Sequence, residues 1–210
     1  MNSLERAINQ LKKGEMVVIY DGDEREGEAD LMFHASFATP ERIMKLRKEA
    51  GGLICLATDS ETAEKFELPF FADFVCAENS PVKDMKCTKT AYGDKPAFSI
   101  SINHKKVYTG ITDNDRALTI SEFEKNLNDS KDSFIKDFYT PGHVFLLISS
   151  GIEKRKGHTE LSIELAKKAG LSPAMVLCEM LDSGNALSKE KAKRYADDNG
   201  FAFVEGKEIW

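Results

Sequence analysis

Near the start of the chain, Leu4, Ala7, Ile8 and Leu11 fall on one helical stripe, with Ser3 placed to cap it and Gly14 to end it. The continuous apolar run 16–20 then reads as a buried strand. Thr39-Pro40 opens a second helix, with Ile43 and Leu46 inward and Gly51-Gly52 closing it. Strand-like runs follow at 53–57, 98–102 and 144–148. Residues 117–127 predict a helix that buries Leu118, Phe123 and Leu127. Residues 159–169 predict another, stopped by Gly170. Residues 174–181 are again strand, Ser188 caps a polar helix up to Gly200, and 201–204 form a short last strand. Helices between strands, joined in places by hairpin-sized connections, predict a mixed β-sheet covered by helices. The weakly patterned stretch 69–94 has the prolines and small residues of a surface excursion.

Composition narrows this to a soluble globular protein, read as a single domain over 1–210 with no obvious linker or repeat. A net charge of −6 argues against general nucleic-acid affinity. No run is long and apolar enough for a membrane span, and the amino terminus has no signal-peptide core. The four cysteines include no Cys-x-x-Cys pair, and Cys55 and Cys178 lie in apolar runs, so core thiols in a reducing cytoplasm are expected.

The chemistry is concentrated in three blocks. Between Asp21 and Asp30 stand six carboxylates in ten positions, directly after the first apolar run. Like charge at that density needs either water or a cation. In an extended conformation Glu24, Glu26, Glu28 and Asp30 share one face, with Arg25 on the other. A row of oxygen ligands suits a hard divalent ion such as magnesium, and the two glycines and apolar flanks favour a site over a solvated loop. An EF-hand is excluded, because either starting register puts a glutamate where its glycine belongs.

The second block, Lys154-Arg155-Lys156-Gly157-His158-Thr159-Glu160, sets three cations before a helix start whose first turn carries the glycine and a capping threonine. Free backbone N–H groups and the dipole make that an anion site, and phosphate is the obvious anion. His158 can turn a ring nitrogen toward a metal. His143, in Pro141-Gly142-His143, is read at a strand boundary, where sites are commonly built. His34 and His104 are read as structural or surface residues. The third block is Glu179 within an apolar strand, where an ionised carboxylate is costly to bury, which suits acid–base work near neutral pH.

Taken together, these blocks resemble the 3,4-dihydroxy-2-butanone 4-phosphate synthase family of riboflavin biosynthesis. The resemblance extends to Thr90-Ala91-Tyr92-Gly93, to Thr109-Gly110 with Asp115-Arg116, and to Val176-Leu177-Cys178-Glu179, in the right order over nearly the whole chain. It implies a three-layer α+β fold and a homodimer with active sites near the subunit interface. It also implies a lyase that converts ribulose 5-phosphate to the four-carbon ketone phosphate and formate. By the same resemblance, Glu26 and His158 hold magnesium or manganese, while Arg25, Glu26, Asp30, Arg155, Lys156, Gly157, His158, Thr159 and Glu179 meet substrate. His143 and Glu179 take proton-transfer roles, and Glu28 and Cys55 stand near the sugar. Two departures are visible: Thr140 where many members have arginine, and Lys156 where many have glycine. No room remains for the cyclohydrolase domain fused in some relatives, so a monofunctional protein is expected. Two rivals are a magnesium-dependent sugar-phosphate phosphohydrolase and a non-catalytic nucleotide- or RNA-binding module. The second would want a basic face interleaved with aromatics, which the sequence lacks.

Overall fold

Helix α1 (Ser3–Lys12) begins with a reciprocal cap in the computed structural model, which describes residues 1–75, 77–85, 90 and 93–210. The cap is Asn2 and not Ser3. Its side chain accepts the Glu5 N–H while Glu5 reaches back to the Asn2 N–H, and a capping box needs the acidic residue at that third position. Strand β1 (Val17–Tyr20) turns back into β2 (Ala29–His34), both wholly buried. Helix α2 (Pro40–Lys45), capped by Thr39, runs on as one π-turn over Leu46–Ala50 and stops at Gly51. Then come β3 (Cys55–Thr58), α3 (Ser60–Phe66) and α4 (Phe71–Val75). After them stand β4 (Phe98–His104), α5 (Asp113–Asn126), α6 (Lys131–Asp137) and β5 (Phe138–Ile148). Helix α7 (His158–Lys168) leads into β6 (Ala174–Glu179) and the small hairpin β7 (Leu181–Asp182) and β8 (Asn185–Ala186). Helix α8 (Lys189–Asp198), capped by Ser188, and β9 (Ala202–Glu205) complete the elements that bear on the site.

Seven strands form one sheet in the order β4-β5-β3-β6-β2-β1-β9. Among the described residues β3/β5 and β1/β9 pair in parallel and the other neighbours antiparallel, so the sheet is mixed. Each central strand is apolar on both faces: Val17 and Ile19 join one cluster with Leu11, Leu161 and Leu165, while Val18 and Leu31 join the other with Ile43, Ile120 and Phe123. Helices α1 and α7 therefore cover one face and α2, α5 and α8 the other, giving the three layers of an α+β fold.

Several sequence expectations shift. Residues 31–33, read as a flank, are the middle of β2, because a strand buried on both faces lacks alternation. Helix α5 buries Ala117, Ile120 and Phe123 on its inner face, leaving Leu118 half-buried. Helices α3 and α6 went unseen because seven residues hold too few turns for a period. They are fixed by tertiary stacking instead, with the Phe134 ring 4.6 Å from Phe66 and 5.0 Å from Phe138, worth about 0.5–1.5 kcal/mol per pair beyond burial. The described part of the excursion carries α4 and a short turn at Lys83–Met85, with Phe74 and Met85 largely exposed. Cys76, Cys87, Ala91 and Tyr92 lie outside the described residues.

Candidate active site

The acidic block is not a strand face. Residues 23–26 form a turn between β1 and β2, and Asp21 organises it by accepting the N–H groups of Glu26 and Glu28, both at 3.1 Å. A carboxylate that satisfies two turn amides outcompetes the extended conformation there. The block consequently splits. Asp23 faces out, accepting from the Tyr20 hydroxyl at 2.6 Å, and Glu24 is exposed. Asp21, Glu26, Glu28 and Asp30 remain inward and partly or fully buried. Asp21 was missed as a site residue, although its position at the strand end, first of the six, was the available signal.

Asp30 lies in β2 directly opposite Glu179, the last residue of β6. Asp30 is fully buried, and burial, reinforced by Glu179, Glu26 and Glu28 against the opposing pull of His158, raises its pKa to about 7. Glu179 is half-buried, and its carboxylate accepts the Leu53 N–H at 2.8 Å. Gly52 makes that possible: a Cβ there would stand 2.5 Å from Glu179 Oε2 and 2.6 Å from its backbone oxygen.

His158 opens α7 and is buried beside these acids. Thr159 is the second helical residue and not the cap, since the cap position is taken by Gly157, which makes no side-chain bond. One ring nitrogen of His158, Nε2, lies 3.1 Å from the Glu28 carbonyl oxygen and donates to it. The other, Nδ1, faces Asp30 at 3.6 Å and Glu26 at 4.0 Å. Those gaps are too long for hydrogen bonds, and a tautomer fixed by a backbone carbonyl is the arrangement that frees the second nitrogen for a metal. Ligand atoms of Asp21, Glu26 and His158 lie within 4.8 Å of one another. This oxygen-rich set fits magnesium. Burial opposes charge on His158, yet Asp30, Asp21 and Glu26 outweigh it and hold its pKa above the usual value.

Arg155 completes the cleft. Its guanidinium bonds Glu160 at 2.6 Å and stands 3.5 Å from Glu26, and Glu160 in turn accepts the Ser150 N–H at 3.0 Å. Glu26, Asp30, Cys55, Arg155, His158, Thr159 and Glu179 all line one cavity of about 320 Å³. Burial pushes the Cys55 thiol well above its ordinary range, so Cys55 serves as an apolar wall there. Arg25 and Glu28 do not line it; Arg25 lines a neighbouring cleft and comes within 3.8 Å of Glu26. Lys156 lies to one side, its ammonium 3.2 Å from the centre of the Trp210 ring.

His143 sits apart, and not at a strand boundary. It lies inside β5, where residues 140–143 bulge between the Tyr139–Asn103 and Val144–Ile102 pairs. Asn103 holds the bulge, accepting the His143 N–H at 2.8 Å and donating to the Tyr139 hydroxyl at 2.9 Å. Gly142 passes so close that a Cβ would fall 1.9 Å from the Ile102 carbonyl carbon. Next to this bulge, Asp115 ties down the Tyr108–Gly110 turn through three backbone N–H groups. Tyr108, Ile111 and Tyr139 are exposed around it. His34 and His104 are both buried and structural.

Fold and cleft together define an α+β protein that sets an acidic cluster suited to a divalent cation beside Arg155 and a helix start. Residues 5–210 match the sequence profile of 3,4-dihydroxy-2-butanone 4-phosphate synthase, and the chain belongs to that family. It is similar to the 3,4-dihydroxy-2-butanone 4-phosphate synthase of Methanosarcina acetivorans, 44% identical over 99% of this chain and 89% of the relative. The synthase of Methanothermobacter thermautotrophicus is 41% identical over 98% and 93%. A crystal structure of 3,4-dihydroxy-2-butanone 4-phosphate synthase in complex with two magnesium ions superposes with a TM-score of 0.82 at 27% identity, covering 100% of this chain and 95% of that one.

Proposed function

We propose that residues 1–210 act as one synthase domain that converts D-ribulose 5-phosphate to 3,4-dihydroxy-2-butanone 4-phosphate and formate, a step of riboflavin biosynthesis. Membership of the family supports this reading, and one observation carries the chemistry: buried Asp30 and half-buried Glu179 face each other beside His158 and Glu26, with Arg155 in the same cavity. The reaction balances without an added oxidant or reductant, since the excised carbon leaves as formate. Glu26 and His158 would hold magnesium or manganese, which when bound polarises the carbonyl and hydroxyls of the sugar. Arg155 and Arg25 bind the phosphate, with the amides at the start of α7 behind it, while Asp30, Thr159 and Gly157 line the sugar's path. Glu179 removes the proton next to the carbonyl to give an enediol, and Asp30, with its pKa near 7, is matched to returning a proton when water leaves. Lys156 holds the α7 entry loop against Trp210. His143 serves a second copy of the chain in a homodimer, since its bulge is edged by exposed Tyr108, Ile111 and Tyr139. We place the protein in the cytoplasm, and no described helix is long and apolar enough to cross a membrane.

Incubation with ribulose 5-phosphate decides between readings. Formate with the phosphate ester intact marks the lyase, whereas free inorganic phosphate marks the rival phosphohydrolase and overturns the proposal.

Metal removal has a pH signature. Exhaustive chelation should abolish turnover, and magnesium or manganese should restore it. A ligating imidazole must be neutral, so metal binding expels the proton that the raised pKa of His158 retains. Magnesium affinity, measured by calorimetry, should therefore weaken as pH falls through that raised pKa, with the loss setting in above the ordinary imidazole range. Asp30→Asn removes the leading charge that raises it and should move the midpoint to lower pH. Full activity after verified chelation counts against the metal.

Arg155→Ala should act mainly on binding. Loss of a charged hydrogen-bonding fork should raise KM for ribulose 5-phosphate on the order of 10–100-fold. A fall in kcat at unchanged KM would take Arg155 out of the phosphate grip.

A further inference from the structure

Two guanidiniums meet over one carboxylate at the rim of the cleft. Asp94 Oδ2 accepts from Arg25 Nη2 at 2.8 Å and lies 3.3 Å from Arg155 Nε. We propose that Asp94 is a built-in competitor for the substrate phosphate: it occupies the Arg25–Arg155 pair and is displaced when the phosphate binds. This rests on the reading of that pair as the phosphate grip.

Charge counting supports displacement. Among the described residues, the carboxylates of Asp21, Glu26, Asp94 and Glu160 stand within ion-pair distance of Arg25 and Arg155. A phosphate dianion gains the full attraction of the two guanidiniums only if a carboxylate leaves them. One carboxylate has to yield, and the four are not equally free. Releasing Asp21 would orphan the N–H groups of Glu26 and Glu28, and releasing Glu160 would orphan that of Ser150. A buried donor left unpaired costs about 1–3 kcal/mol. Glu26 belongs to the cation set. Asp94 differs: among the described residues, both contacts of its carboxylate are to guanidiniums, and its backbone is held only by exchange with Thr90. Among the described residues, its removal strands no backbone group. Its side chain is 24% exposed and lines a neighbouring cleft of about 670 Å³, which shares Arg155 with the 320 Å³ cavity, so it has somewhere to go. A phosphate presents three oxygens to the two forks where Asp94 presents one, and the charge-assisted bonds it forms are the stronger set.

A competitor and a strut predict opposite signs. Asp94→Asn keeps size and shape but gives up the charge. If Asp94 competes, inorganic phosphate measured by calorimetry with magnesium present should bind about fivefold more tightly. KM for ribulose 5-phosphate should fall by a similar factor with kcat not raised. Asp94→Ala should shift both constants in the same direction. The gain should vanish in an Arg155→Ala background, because the carboxylate and the phosphate contend for the same guanidinium. Unchanged or weaker phosphate binding in Asp94→Asn, with Arg155→Ala still weakening it, overturns the competitor and leaves the grip standing. No effect of Arg155→Ala on phosphate binding overturns both.

Discussion

Glu179→Gln is expected to lower turnover by roughly 10²- to 10⁴-fold while substrate binding stays close to wild type. The substitution is nearly isosteric, and the amide oxygen can still accept the Leu53 N–H that orients the carboxylate. Gly52 leaves no slack around the group, so the replacement stays where the carboxylate was. What disappears is the capacity to take a proton. Asp30, opposite on β2, keeps the burial that is the main cause of its raised pKa, but a single remaining acid cannot serve both proton removal and the later loss of water. Single-turnover kinetics with ribulose 5-phosphate, alongside binding measured by calorimetry, separates the two effects. Turnover near wild type would remove Glu179 from proton transfer.

A mixture of two dead variants is expected to recover about a quarter of wild-type activity. Glu26→Ala strikes the cation set and His143→Ala strikes the bulge in β5. His143 does not line the cavity that Glu26 lines in its own chain. If each active site takes Glu26 from one subunit and His143 from the other, each homodimer carries one lesion in every site and is inactive. In a C2 mixed dimer one site collects both lesions and the other none, and random exchange makes about half the dimers mixed. Differently tagged chains, mixed after mild unfolding, verify the exchange. No recovery despite proven exchange means that the two residues are not divided between subunits in this way.

The sequence was most legible where the hydrophobic pattern and the chemistry agreed. Six of the observed strands coincide with apolar runs, and the α7 entry loop announced itself by clustering Arg155 and His158 before a helix start. The errors have physical causes. Period-two reasoning assumed an extended backbone through 24–30, whereas Asp21 folds 23–26 into a turn by bonding two amides, a contact across five and seven residues that no local pattern reveals. His143 was read at a strand boundary because Pro141-Gly142 normally breaks a strand. Here side chains of β4 replace the missing ladder bonds: Asn103, 40 residues away, accepts the His143 N–H, and Ser101 accepts the Gly142 N–H. Asp94 carried no signal, since a lone aspartate in a loop becomes informative only when two distant arginines converge on it.

The residues assigned to proton transfer and those assigned to grip rest on different kinds of scaffold. Asp30 and Glu179 project from β2 and β6, strands packed on both faces in the middle of the sheet, which open only with the whole domain. Arg25, Asp94 and Arg155 stand on turns and loops at its edge, where backbone rearrangement is cheap and sequence change is well tolerated. Selection can thus retune which anion the cleft accepts, and how tightly, by altering surface connections, while the pair of acids that act on the bound molecule keeps its spacing through every such change.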